Sequence, residues 1–429
     1  MRSREGQSLR VAVVARSVYP LHRFGGLERH VYDLVRCLLA RDVQITLLTP
    51  PAAAHRPADA AADAVFRHPN FTMRPVPYTT FPFANRRGTT ILDRSTAYPV
   101  FGFRAGRLAA RLVAAGEIDI VHGLGASVLG YAMADLEPGT RAPLVFNPQG
   151  LEEFGATDPA RARLKRLGYW PLRAAVRRSA RSADRVIATD RSLVSPVMTH
   201  LGVSKDVVRV IPNAIEPAEC DRPDAPSRGQ ALRAEVGLQP EDVLLLSVGR
   251  LEANKGFHVL IRALAALAQK KALPARWRWV LVGDGPMHDA LHRSVESAGL
   301  SSWVVMRGRA SGEDLHGWYE AATLFVHPTL YEGSSIVTLE AMAHRKAVVA
   351  GRAGGLPDKV IPGVTGWLVP PGNEEALSAA IVKALSDPSR LTSMGVAGRA
   401  LVEKDFSWRA ATDRLLSLYG EVLAQRNSL

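Results

Sequence analysis

Short aliphatic runs recurring between amphipathic stretches constrain the fold of this 429-residue chain more than any other feature. Val11–Ala15, Val43–Leu48, Ile118–Val121, Leu144–Phe146, Arg185–Ala188 and Val207–Ile211 lie in the first half; Val243–Val248, Trp279–Val282, Val304–Met306, Thr323–Val326 and Ala347–Ala350 lie in the second. Each is β-branched or aliphatic without polar alternation, as strands buried on both faces require. Helical spacing of apolar residues runs through Leu27–Ala40, Phe257–Lys270 and Pro286–Ala298 between them. The alternation predicts doubly wound α/β domains, with parallel sheets covered by helices on both faces.

The length suggests two or three domains of ordinary size. Periodicity lapses after Ile211-Pro212-Asn213, and Glu216–Gln230 is rich in Pro and acids, so it reads as a linker. The expected division is a first domain over 1–213, a second over 214–405 with the linker at about 216–230, and a terminal helix over 406–429. Trp408, Ala411, Leu415, Leu418 and Leu423 form an apolar stripe on that helix.

Several classes are excluded. No apolar run approaches the ~18 residues a membrane-spanning helix needs. Cys37 and Cys220 are the only cysteines, so there is no disulfide framework or cysteine metal cluster. The opening MRSREGQSLR followed by VAVVA is too short for a signal-peptide core, and a cytoplasmic protein is expected.

The formal charge is +13, and it is unevenly placed. Up to Asn213 there are 30 Lys and Arg against 17 Asp and Glu; beyond it there are 24 against 24. Such asymmetry points to an anionic partner for the first half. The densest stretch, Arg161–Arg185, has nine basic residues and one acid, Asp184. Trp170 and several leucines interrupt Arg166, Arg173, Arg177, Arg178 and Arg181. A basic helix with interleaved Trp and Leu reads as a membrane-surface segment, the alternatives being a solvated helix and nucleic-acid contact. Membrane contact is the reading taken, with no nucleic-acid partner.

Chemistry in such sheets belongs in loops beyond the carboxyl ends of strands. Gly25-Gly26 follows the first strand and precedes a helix, where backbone can approach an anion closely. Arg250 and Lys255 occupy the loop after Val243–Val248, with Gly256 opening the next helix; two cations there form a diphosphate clamp in principle. After Thr323–Val326, Glu332 lies in a loop and Glu340 two turns into the following helix. Carboxylates so placed can accept bonds from sugar hydroxyls, and the amides of Gly333, Ser334, Ser335 and Ile336 can bind an anion or a hydroxyl. Ser334 and Ser335 suit an N-cap.

Together these segments resemble the nucleotide-sugar transferases of glycosyltransferase family 4, which have the GT-B fold of two Rossmann-like domains facing across a cleft. The stretches carrying the resemblance are GGLERHV, DIVHG (Asp119–Gly123), VIPNAIE (Val210–Glu216), SVGRLEANKG, LVGDGP (Leu281–Pro286), EGSSIVTLEAMA and GGLPDKVIPGVTGWLVPPGN (Gly354–Asn373). Pro50 to Gly116 contributes no matching motif. The resemblance implies retention of configuration without a protein nucleophile. It implies that Arg250 and Lys255 hold the donor diphosphate, Glu340 the ribose and Glu332 the sugar hydroxyls. Gly26 and its loop would close near the diphosphate, His122 would lie near the sugar, and the last helix would cross back to the first domain. No Asp-x-Asp occurs in the chain, in keeping with a diphosphate held without a metal and with no other cofactor. One departure is Gly333-Ser334-Ser335, where the family commonly has Gly-Phe-Gly or a similar pair.

The expected reaction is therefore transfer from a nucleotide diphosphate sugar, with the basic first half receiving a lipid-linked or cell-envelope glycan at the inner membrane face. The alternatives are transfer to a soluble sugar or metabolite, epimerisation or hydrolysis of a nucleotide sugar, and a non-catalytic basic binding protein. The last gives no reason for Arg250, Lys255, Glu332 and Glu340 to share post-strand contexts.

Overall fold

A computed structural model describes residues 8–22, 26–52, 64–79, 89–137, 139–149, 151, 154, 167–310 and 312–427. The chain forms two compact units, one of residues 1–212 with 411–429 and one of residues 213–410.

The first unit carries a parallel sheet of β1 (Arg10–Val14), β2 (Gln44–Thr49), β3 (Phe71–Pro75), β4 (Ile120–Leu124), β5 (Leu144–Asn147), β6 (Arg185–Ala188) and β7 (Val208–Val210). Their spatial order is β3-β2-β1-β4-β5-β6-β7. The second carries β8 (Val243–Val248), β9 (Trp277–Val282), β10 (Val304–Gly308), β11 (Leu324–His327), β12 (Val348–Gly351) and β13 (Gly366–Val369), also parallel, in the order β10-β9-β8-β11-β12-β13. Both are doubly wound sheets. Strand order reverses between β1 and β4 in one and between β8 and β11 in the other. A crevice opens at such a reversal, because the flanking connections leave on opposite faces.

The aliphatic strands are buried as their composition dictates: every residue of β4, β5, β6, β8, β11 and β12 is buried. The helices give their apolar stripes to the same cores. Helix Gly26–Leu39 buries Val31, Leu34, Val35 and Leu38, and helix Phe257–Gln269 buries Phe257, Leu260, Ile261 and Leu264.

The structure adds two strands to the sequence reading, β3 and β13. Both are outermost in their sheets, with mixed exposure that blurs the apolar run. It also corrects the linker reading of Glu216–Gln230. Pro217–Glu219 forms a 3-10 turn, and Ala225–Glu235 is a helix with proline in its first turn, where a missing N–H costs nothing. That helix buries only Ala225, Gly229 and Leu232, too few to mark a helical period.

The terminal helix runs over Trp408–Asn427. Within the first unit, Glu421 accepts from Arg185 Nη2 at 2.5 Å and Arg209 Nη2 at 2.6 Å, and Asp413 accepts from Arg41 at 2.6 Å. No helix among the described residues is long and apolar enough to cross a membrane.

Candidate active site

At the reversal in the second unit, Ser247 of β8 donates to the Val326 carbonyl of β11 at 2.6 Å and accepts from the Trp279 indole at 3.0 Å. These two strands therefore end side by side, and their loops are stitched together. Asn254 O accepts from Leu330 N at 2.8 Å and from Thr329 Oγ1 at 2.9 Å. Gly256 joins the turn Ala253–Lys255 to helix Phe257–Gln269 at φ 69°, and a Cβ there would stand 2.1 Å from the Pro328 carbonyl oxygen. Only glycine permits both that backbone shape and that approach.

The consequence is a charged cluster. Glu332 Oε2 accepts from Lys255 Nζ at 2.7 Å and from His327 Nε2 at 2.9 Å. Burial alone would raise the Glu332 carboxyl, but the hydrogen bond and charge of His327, with the charge of Lys255, hold it down at about 2. Glu332 is thus a carboxylate throughout the physiological range, an acceptor rather than a proton donor. Gly333 O accepts from Gly355 N at 3.0 Å, and Gly354 packs so closely that a Cβ would overlap the Glu332 carbonyl oxygen.

Helix Ile336–Ala343 begins just beyond Ser335. Ser335 sits at the N-cap but makes no side-chain cap bond; its hydroxyl lies 2.8 Å from that of Thr338. Ser334 Oγ is buried with no partner among the described residues. Glu340, further along, accepts from the Tyr319 hydroxyl at 2.7 Å. Burial raises its carboxyl, and the Tyr319 bond only partly offsets that.

Of the sequence-selected residues, Lys255 and Glu332 are brought into contact, while Gly333, Ser334, Ser335, Ile336 and Glu340 continue from Glu332 along one loop and helix. Arg250 is different: its side chain is 75% exposed, and it pairs with Glu252 at 3.0 Å. His327 and Tyr319 were missed. A histidine five residues before Glu332, at the end of an apolar run, was the available signal for the first; Tyr319 lies in another helix, with no sequence signal.

In the first unit, Gly26 opens helix Gly26–Leu39, and a Cβ there would meet nothing; Gly25 lies outside the described residues. His122 belongs to β4 and is 1% exposed. Its Nδ1 lies 2.6 Å from Tyr419 Oη of the terminal helix. Burial, with the nearby charge of His30, pushes the imidazole down to about 3, so it is neutral near pH 7. His122 is therefore a core residue facing Tyr419, with a buried Nε2 that meets no partner among the described residues.

The membrane candidates also divide. Helix Trp170–Arg181 buries Leu172, Ala175 and Val176. Arg173 and Arg177 lie over the Phe154 ring, Arg177 Nε donates to His200 O at 2.7 Å, and Arg181 Nε donates to Leu201 O at 3.3 Å. Arg173 and Arg177 are partly buried and engaged within the fold; Arg181, despite its bond to Leu201, and Arg178 are exposed, and Arg166 lies outside the described residues. Trp170 is 68% exposed and Leu167 78%. Val100 and Phe103, on the neighbouring helix Thr89–Ala114, are exposed as well. Ser95 of that helix donates to Gly168 O at 2.6 Å, and Arg107 lies over the Phe103 ring.

Two doubly wound parallel sheets, each with its strand reversal, are the architecture of the GT-B fold. Solved structures agree: sucrose-phosphate synthase from Thermosynechococcus elongatus superposes with a TM-score of 0.73 at 22% identity, over 97% of this chain and all of that one. The family model described as "Glycosyl transferases group 1" matches residues 230–401, and "Glycosyltransferase Family 4" matches residues 24–219. D-inositol 3-phosphate glycosyltransferase 1 of Catenulispora acidiphila is 30% identical over 92% of this chain and 90% of its own length. The GDP-mannose-dependent alpha-(1-6)-phosphatidylinositol monomannoside mannosyltransferase of Mycolicibacterium smegmatis is 33% identical over 57% of this chain and 64% of its own length. The chain belongs to glycosyltransferase family 4 and is a hexosyltransferase-type enzyme.

Proposed function

We propose that the chain transfers a sugar, with retention of configuration, from a nucleotide diphosphate sugar to a lipid-linked or cell-envelope glycan at the inner membrane face. The Lys255–Glu332–His327 cluster at the strand reversal of the second unit carries this reading. A departing nucleoside diphosphate gathers negative charge, so catalysis needs a fixed cation and amides aimed at it more than a nucleophile. Lys255 supplies the cation, its ammonium held in place by Glu332. Arg250, exposed in the same loop, closes on the diphosphate when the donor arrives. Glu332, locked as a carboxylate, accepts from sugar hydroxyls; Glu340, held by Tyr319, accepts from the ribose. The amides of Gly333 to Ile336 complete the anion site.

Transfer needs no metal in this account, because cations of the chain meet the diphosphate. Activity in a chelator supports that; full loss restored by Mg²⁺ contradicts it. A thermal-shift series with UDP, GDP and ADP sugars tests the donor, since a ligand bound to the native state raises its melting temperature. The NMR coupling of the product's anomeric proton tests retention.

The exposed Leu167 and Trp170, with Val100 and Phe103 on the neighbouring helix and Arg107 over the Phe103 ring, support a membrane-held acceptor: aromatic and aliphatic tips with a flanking cation suit an anionic bilayer surface. The phosphatidylinositol-linked acceptor in the mycobacterial relative's name is in keeping with this. The inositol phosphate of the Catenulispora relative's name favours a soluble acceptor as the second reading. Co-sedimentation with phosphatidylglycerol vesicles decides between them. Leu167→Ser with Trp170→Ser should release the protein, and unchanged binding would exclude this patch.

A further inference from the structure

Away from Lys255 and Glu332, the second unit gathers three soft or borderline ligand atoms that the donor reading does not use. Cys220 follows the 3-10 turn Pro217–Glu219, His316 lies in helix Glu313–Ala321, and His344 caps the C-terminus of helix Ile336–Ala343. One ligand atom from each lies within 4.8 Å of the others. Cys220 and His344 are buried, and His316 is half-buried. We propose that Cys220, His316 and His344 form a binding site for a zinc-type divalent cation, with water as the fourth ligand.

The geometry favours a metal over a chance grouping of polar side chains. His344 Nδ1 lies 2.6 Å from Glu320 Oε1, so that nitrogen carries the proton and Nε2 presents its lone pair. A carboxylate behind a ligating histidine is how metal sites fix tautomer and ring orientation. The Tyr319 ring stacks on the His344 imidazole at 5.3 Å and 11°, restraining it further. His316 Nδ1 faces His344 Nε2 at 2.9 Å. Tetrahedral bonds of ~2.0–2.1 Å to two imidazoles would place those nitrogens roughly 3.3 Å apart, so the pair need open by only a few tenths of an ångström.

Proton balance is simple. In the metal-free form His316 Nδ1–H donates to His344 Nε2. On binding, that proton moves to His316 Nε2 and the Cys220 thiol proton leaves to solvent, one proton per cation. A donor set of two imidazole nitrogens and one sulfur, with no oxygen among the side-chain ligands, disfavours hard cations such as Mg²⁺ or Ca²⁺, which take oxygen ligands, and suits thiophilic ones. Glu320, Glu340 and Asp224 surround the cluster with negative charge. Of the nearby arginines, Arg222 is paired with Asp224 and Arg399 with Asp221.

The experiment uses the full chain without a histidine tag, stripped by a chelator and dialysed against Zn²⁺, with metal counted by mass spectrometry. One Zn²⁺ per chain is expected. Occupancy should be lost in Cys220→Ser and in His316→Gln and kept in His292→Gln, a surface control. With Co²⁺, the wild type should show intense visible bands of tetrahedral coordination and a near-ultraviolet thiolate charge-transfer band, the latter absent in Cys220→Ser. His316 is half-buried, so His316→Gln keeps the test valid should the Cys220 variant not fold. No uptake by wild type, or uptake unchanged in both site variants, overturns the proposal. No ligand belongs to the donor cluster, so the donor titration stands or falls separately.

Discussion

The two units share one strand plan and use it differently where that plan opens. Beyond β8 and β11, the loops are crosslinked backbone to backbone and place a buried carboxylate between an ammonium and an imidazole. At the matching place in the first unit, β4 carries a neutral histidine sealed against a tyrosine of the terminal helix. One reversal concentrates charge; the other holds a single neutral imidazole. A doubly wound sheet therefore supplies a position for chemistry but not the chemistry itself, which lies in the loop residues.

The sharpest break in this comparison is Lys255→Ala. Removing one preorganised charge from a developing anion costs about 10²–10³ in rate, and turnover assays should show a loss of that order in a folded protein. Near-normal turnover would remove the distinction between the two sheets.

Next is Gly256→Ala. Forcing a Cβ onto a φ of 69° against the Pro328 carbonyl should cost about 1–3 kcal/mol in urea unfolding and raise the donor KM by shifting Lys255. In the first unit, Tyr419→Phe leaves the buried His122 Nδ1 unpaired. We expect a loss of about 1–3 kcal/mol of stability with kcat within a few-fold of wild type. A collapse of kcat at intact stability would place His122 at the reacting sugar, as the family resemblance implies.

The smallest effect is in acid. The Glu332 carboxyl is depressed in the folded state, so its contribution to stability is complete above the unfolded value near 4.5 and drains as pH falls toward about 2. The stability gap between wild type and Glu332→Gln should shrink over that window; a constant gap would mean that the carboxylate is not held by Lys255 and His327.

How much of this was legible beforehand follows from burial. The central strands read cleanly because both faces are covered, whereas β3 and β13, at the sheet edges, did not. Lys255, Glu332 and Glu340 were visible as charged residues in post-strand loops and a helix start. His327 was hidden because a buried histidine at a strand end looks like packing until the fold shows what it touches. Arg173 and Arg177 illustrate the converse: a basic run in sequence suggested a free cationic face, yet the His200 carbonyl and the Phe154 ring take those two side chains up. Cys220, His316 and His344 come from three separate segments, so no spacing rule could have grouped them.

Calorimetric titration of nucleoside diphosphates into wild type and Lys255→Ala tests the central claim most directly. The account predicts that one of UDP, GDP or ADP binds the wild type and that its affinity falls at least tenfold, about 1.4 kcal/mol, in the variant. Equal affinity for both proteins would contradict it.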